Sequence, residues 1–123
     1  MGKRIMLVDD SNFARDMLKD ILTKHGYEIA GEARNGREAV ELFEQIKPDL
    51  ITMDIAMPEL DGINALNKIL AANPAARVIV ISSANSREIV KHVVQDGALD
   101  FVVKPFTKDR LLKAVDKALA RSR

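Results

Sequence analysis

Short apolar runs rich in β-branched residues alternate along this chain with longer segments whose apolar residues recur at helical spacing. The runs are "RIMLV", "DLITM", "VIVIS" and "DFVV", nearly continuous in hydrophobicity, as a strand buried on both faces must be. "YEIAGE" alternates more and is read as an edge strand. After Ser11, the residues Phe13, Ala14, Met17, Leu18, Ile21 and Leu22 share one face of a helix that Gly26 stops. Asn35 caps a second helix, with Glu38 as its capping-box partner and Val40, Leu42, Phe43 and Ile46 facing inward. A third follows Gly62 and carries Ile63, Leu66, Ile69 and Leu70. A fourth starts near Ser86, buries Ile89, Val90, Val93 and Val94, and ends at Gly97. The last is capped by Thr107 and holds Leu111, Leu112, Val115 and Leu119.

Strands alternating with helices in this way predict an α/β fold: a doubly wound, five-stranded parallel sheet with right-handed crossovers and five helices in three layers. No Gly/Ser linker, repeat or low-complexity stretch interrupts the alternation, so residues 1–123 are read as a single domain. Apolar residues make up 47% and charged residues 30%, which is the balance of a folded globular chain. A formal net charge of +1 leaves neither a footprint for nucleic acid nor a basic anchor for a membrane. Cysteine is absent, which excludes disulfides and thiolate metal sites and suits a reducing cytoplasm. No apolar stretch approaches the ~20 residues that span a bilayer.

Parallel strands all finish at one edge of the sheet, and ligands bind beyond that edge. The residues there are therefore the candidates for chemistry. Asp9 and Asp10 follow the first strand and Asp54 the third. Ser82 and Ser83 end the fourth, and Lys104 and Pro105 follow the fifth. Taken singly, an Asp after a strand is more often a helix cap than a ligand, and Ser82 competes with Ser83 for any hydroxyl role. Convergence changes the weighting. Two unit charges at about 4 Å repel by roughly 4 kcal/mol at an effective dielectric of 20, so three gathered carboxylates must take up a proton or bind a cation. Oxygen donors without Cys or His select a hard ion, Mg²⁺ first and Mn²⁺ second. A hydroxyl and a fixed ammonium beside such an ion make a receptor for a phosphoryl group. No Gly-rich phosphate loop occurs, so the group is better held covalently, with Asp54 as a carboxylate nucleophile.

The pieces "LVDD", "NGREAVE", "DLITMDIAMPELDG", "VIVISS" and "GALDFVVKPF", in this order and spacing, resemble the receiver domain of two-component response regulators over nearly the whole chain. "VDDSNFARDMLKDIL" and "TMDIAMPELDGI" look most like its free-standing chemotaxis members. The resemblance implies a flavodoxin-like sheet in the order 2-1-3-4-5. It also implies that Asp54 accepts phosphate from a sensor histidine kinase. Asp10, Asp54 and the backbone carbonyl of Ala56 would bind Mg²⁺ directly, and Asp9 through water. Ser82 would be the switch hydroxyl, Phe101 the aromatic switch residue, Lys104 the partner of the phosphate, and Lys104–Pro105 a cis peptide bond. A downstream target, such as the flagellar motor switch, would bind the face of the fourth helix, fifth strand and fifth helix, and a phosphatase is a further expected partner. The chain departs from the family in carrying Ser rather than Thr at Ser82 and Phe rather than Tyr at Phe101. Ala56 and Ala84 fall where the family varies.

Three alternatives are weighed against this reading. One is a receiver from a phosphorelay outside chemotaxis, or one excised from a longer regulator. Another is an aspartyl-phosphate hydrolase, in which a second Asp normally stands two residues after the nucleophile, where this chain has Ala56. The third is a binding module indifferent to phosphate, to which the intact set Asp9, Asp10, Asp54, Ser82 and Lys104 is opposed. The expected role is a signalling switch that catalyses only its own phosphorylation and dephosphorylation.

Overall fold

A computed structural model describes residues 2–58 and 61–121. Among these, five strands alternate with five helices: β1 (Arg4–Val8), α1 (Asn12–Lys24), β2 (Glu28–Ala33), α2 (Gly36–Ile46), β3 (Leu50–Met53), α3 (Asp61–Ala72), β4 (Val78–Ser82), α4 (Arg87–Gln95), β5 (Asp100–Val103) and α5 (Lys108–Ala120). The strands form one parallel sheet in the order β2-β1-β3-β4-β5, a flavodoxin-like arrangement.

Side chains alternate across each strand, and the alternation divides the core in two. Met6 and Val8 of β1, Ile51 and Met53 of β3, Val78 and Val80 of β4 and Phe101 of β5 pack with residues of α2, α3 and α4. Ile5, Leu7, Leu50, Ile79, Ile81 and Val102 point to the opposite face and pack with α1 and α5. Both faces of every inner strand are thus covered, which explains their unbroken apolar runs. No helix among the described residues is long and apolar enough to cross a membrane.

Local chemistry sets the helix starts. The side chains of Ser11, Asn35, Ser86 and Thr107 accept hydrogen bonds from the backbone N–H groups of Ala14, Glu38, Ile89 and Arg110, each answering one N–H that the first turn leaves without a partner. The capping box of α2 differs from expectation: the Glu38 carboxylate accepts from the N–H of Arg34, at 2.9 Å, and pairs with its guanidinium as well. Helix α3 begins at Asp61, so Gly62 lies inside its first turn.

Four residues expected inside are outside. Phe13 is 78% exposed, Met17 and Val94 are also on the surface, and so is Val103, because β5, read as buried on both faces, lies at the edge of the sheet. In α1 the buried stripe is Ala14, Leu18 and Leu22, an i, i+4 row. The apolar arc read from the sequence was wider than the sheet face it could cover. Arg15, a charged residue, occupies a buried position next to that stripe instead.

Candidate functional site

The backbone ladder runs one residue past three strand ends. Asp9 donates its N–H to Ala33 O, Asp54 to Val8 O and Lys104 to Ser82 O, at 3.1, 2.9 and 3.0 Å. Each residue is therefore fixed at its α-carbon by a neighbouring strand, while its side chain leaves the sheet at the common edge. Asp9, Asp10 and Asp54 each offer a carboxylate oxygen, and these oxygens lie within 4.8 Å of one another. Asp9 and Asp54 are buried and Asp10 is exposed. The Lys104 ammonium bridges the two buried ones, donating to Asp9 Oδ2 at 2.6 Å and Asp54 Oδ2 at 3.1 Å.

The remaining carboxylate oxygens are held locally. Asp9 Oδ1 accepts from Ser11 N–H at 2.9 Å, and Asp54 Oδ1 from Ala56 N–H at 2.8 Å. Asp10 has no side-chain hydrogen-bond partner among the described residues. Burial alone would lower the pKa of Lys104, but the hydrogen bond to Asp9 and the charges of Asp54 and Asp9 outweigh it and raise the pKa above the ordinary lysine value. The ammonium is therefore fully charged at neutral pH. Three carboxylates against one ammonium leave two formal negative charges at a partly buried site. Oxygen-only donors with that charge fit a small divalent cation.

Ser82 is fully buried, and its hydroxyl accepts from the N–H of Ala84 at 3.1 Å. Ser83, its competitor in the sequence, is exposed and lines an apolar hollow with Phe13, Ala14, Met17, Lys104, Pro105 and Phe106. Strand alternation puts Ser82 and Phe101 on the same face of the sheet as Val80. Phe101 is turned inward and buried, and its backbone carbonyl accepts from Arg110 Nη2 at 3.0 Å. The Lys104–Pro105 peptide bond is cis. Met53 and Met57, which flank Asp54, are core residues, and His25 and His92 are exposed beside Asp116 and Asp96.

Two supports of the site were not legible in the sequence. A Cβ at Gly62 would sit 2.4 Å from the backbone oxygen of Asp54 and 2.7 Å from Ile55 Cα, so α3 can approach the Asp54 loop only through glycine. Beside it, Asp61 accepts from the N–H of Gly36 and ties α3 to the start of α2. The other support is Arg15, whose guanidinium donates to the backbone carbonyl of Asp9, to Asn12 Oδ1 and to Glu32 Oε1. The sequence shows only an arginine beside Ala14 on the apolar side of the first helix, and nothing there marks it as buried.

A doubly wound sheet with an acidic cluster and a lysine at its carboxyl edge is the arrangement of a receiver domain, and comparison with known proteins shows that family. The family model for the response regulator receiver domain matches residues 5–116, and the chain belongs to that family. It is 52% identical to the chemotaxis protein CheY of Thermotoga maritima, over 95% of this chain and 98% of that one. It is 50% identical to CheY of Bacillus subtilis, over 97% and 99%. Among solved structures, the CheX–CheY–BeF₃–Mg²⁺ complex from Borrelia burgdorferi superposes with a TM-score of 0.92 at 35% identity, covering 97% of this chain and 90% of the matched one.

Proposed function

We propose that residues 1–123 form a single receiver that takes a phosphoryl group on Asp54 from a sensor histidine kinase and passes the change to a partner protein. The observation that carries this reading is the double engagement of Lys104, which holds Asp9 and Asp54 together beside Asp10. An oxygen of Asp54 attacks the phosphorus of a phosphohistidine. The P–N bond breaks, its electron pair returns to the imidazole nitrogen, and an acyl phosphate remains on Asp54. Asp9, Asp10, Asp54 and the backbone carbonyl of Ala56 would hold Mg²⁺ or Mn²⁺, which when bound offsets the charge on the phosphoryl oxygens. Lys104 gives up its bond to Asp54 Oδ2 and pairs with a phosphoryl oxygen. The chain catalyses its own phosphorylation and dephosphorylation, with the phosphohistidine as donor.

The Ser82 hydroxyl, which accepts from Ala84 N–H, then donates to a phosphoryl oxygen and draws the loop after β4 inward. Phe101 already lies inside and carries no hydroxyl to pull it toward water. Movement of the Ser82 loop leaves the space that an inward Phe101 fills, so Ser82 and Phe101 together form the switch. Moving a population from 1:99 to 99:1 takes about 5.5 kcal/mol, within reach of a few new charge-assisted hydrogen bonds. The output face is α4, β5 and α5. Val94 and Val103 are exposed there, on a helix and on a strand at the edge of the sheet.

Chemotaxis is the setting supported by the CheY relatives, and the Borrelia complex of CheY with CheX supports a protein partner; a cytoplasmic location, the flagellar motor switch as target and a phosphatase to reset the signal are proposed with it. The test uses Mg²⁺ and acetyl phosphate. Wild type gains one phosphoryl group per chain and the Asp54→Asn variant none. Equal labelling of the two would overturn the assignment.

A further inference from the structure

The phosphoryl chemistry gives no role to Arg15, yet it is a buried arginine directly beneath the acidic cluster, only 7% exposed. Its three hydrogen bonds reach three separate segments. Nη1 donates to the backbone carbonyl of Asp9 in the β1–α1 turn, Nη2 to Asn12 Oδ1 on the first residue of α1, and Nε to Glu32 Oε1 on β2 at 3.1 Å. Each of the three guanidinium nitrogens thus meets its own acceptor, a spread that the fixed planar fork of arginine provides.

The Asp9 carbonyl belongs to the peptide unit that leads into Asp10. Asp9 is already pinned at its N–H by Ala33 and at its carboxylate by Ser11 and Lys104. Asp10 has no comparable side-chain tether among the described residues. The Asp9–Asp10 peptide fixes the backbone point from which the Asp10 side chain departs, and the oxygen of that peptide is the one Arg15 holds. An unpaired guanidinium there would repel a cation. Glu32, which Lys19 also approaches at 3.4 Å, neutralises it.

We infer that Arg15, charge-balanced by Glu32, is a positioning residue that orients Asp10 toward the shared cation site. The inference rests on the divalent-cation reading of the cluster. The test is titration calorimetry with Mg²⁺ on the full chain at neutral pH. Removing either member of the pair alone changes the local charge as well as the geometry, so the decisive variant is the charge-balanced double, Arg15→Met with Glu32→Gln. Its Mg²⁺ affinity should fall about tenfold, as for other groups that orient metal ligands, while its circular dichroism remains that of wild type. Should the double variant fail to fold, Arg15→Lys with Glu32 intact keeps the charge but cannot reach all three acceptors, and its affinity should also fall. A folded variant that binds Mg²⁺ as wild type does, with only a lower Tm, would reduce Arg15 to a structural role and overturn the inference. A wild type that ignores Mg²⁺ would instead overturn the cation site itself.

Discussion

Among the described residues, the Asp10 carboxylate has no hydrogen-bonded or ion-paired partner: Lys104 serves Asp9 and Asp54, whose carboxylate oxygens lie within 4.8 Å of its own. A carboxylate kept in such a place costs stability in the metal-free protein and is retained for what it binds. The Asp10→Asn variant should therefore melt about 3 °C higher than wild type in the presence of a chelator, a rise of the size expected when a modest repulsion is removed from a domain of this length. Mg²⁺ should raise the Tm of wild type by mass action and leave the variant nearly unmoved. Scanning calorimetry of both proteins with and without the ion reads the two effects together. A variant that melts lower than wild type in chelator would mean that the carboxylates do not oppose one another.

Between elements, the contact with least slack is α3 against the loop that carries Asp54. The atoms a Gly62 side chain would strike are backbone atoms of Asp54 and Ile55, which cannot swing aside as the end of a lysine would. Gly62→Ala should destabilise the fold by about 2 kcal/mol through overpacking and weaken Mg²⁺ binding as the loop shifts. A urea midpoint equal to that of wild type would show that α3 can retreat at no cost. The sequence reveals the elements but not this contact. Strands and helices were legible because their periods are local: "RIMLV" and "VIVIS" are buried on both faces wherever the rest of the chain goes. The convergence of Asp9, Asp54 and Lys104 was legible for a related reason, since parallel strands must finish at one edge. What stayed hidden depends on pairing at a distance. Arg15 is buried because Glu32, on the next strand, and the Asp9 carbonyl receive it. Phe13 and Val94 are exposed because the helix faces turn by an amount that apolar spacing alone does not fix. Strand alternation could not choose between Ser82 and Ser83, and burial separates them.

Across the whole molecule, the ionisable groups that tie distant segments together give stability a definite dependence on pH. Tyr27, ahead of β2, donates its hydroxyl to Asp116 on α5; burial, then that hydrogen bond and the charge of Asp116, push its pKa above the ordinary tyrosine range. Lys104 is raised as well, because its two aspartate partners outweigh its burial. Both groups hold a proton more tightly folded than unfolded. Their contributions are complete below the unfolded values, about pH 10, and are lost as pH rises through the folded ones. On the acid side Asp100 works in the opposite sense. Burial would raise its pKa, but the hydrogen bonds from Arg110 and from the Phe101 N–H, with the charge of Arg110, hold it below the usual carboxylate range. Its contribution is present above about pH 4 and is lost as pH falls. Urea midpoints measured in chelator should accordingly run level between about pH 5 and 9 and decline on both sides. The Tyr27→Phe, Lys104→Met double variant should start lower and decline less steeply above about pH 10, since the two groups that lose protons there are gone. An alkaline limb with the same slope in the double variant would assign that loss to the many surface lysines and not to Tyr27 and Lys104.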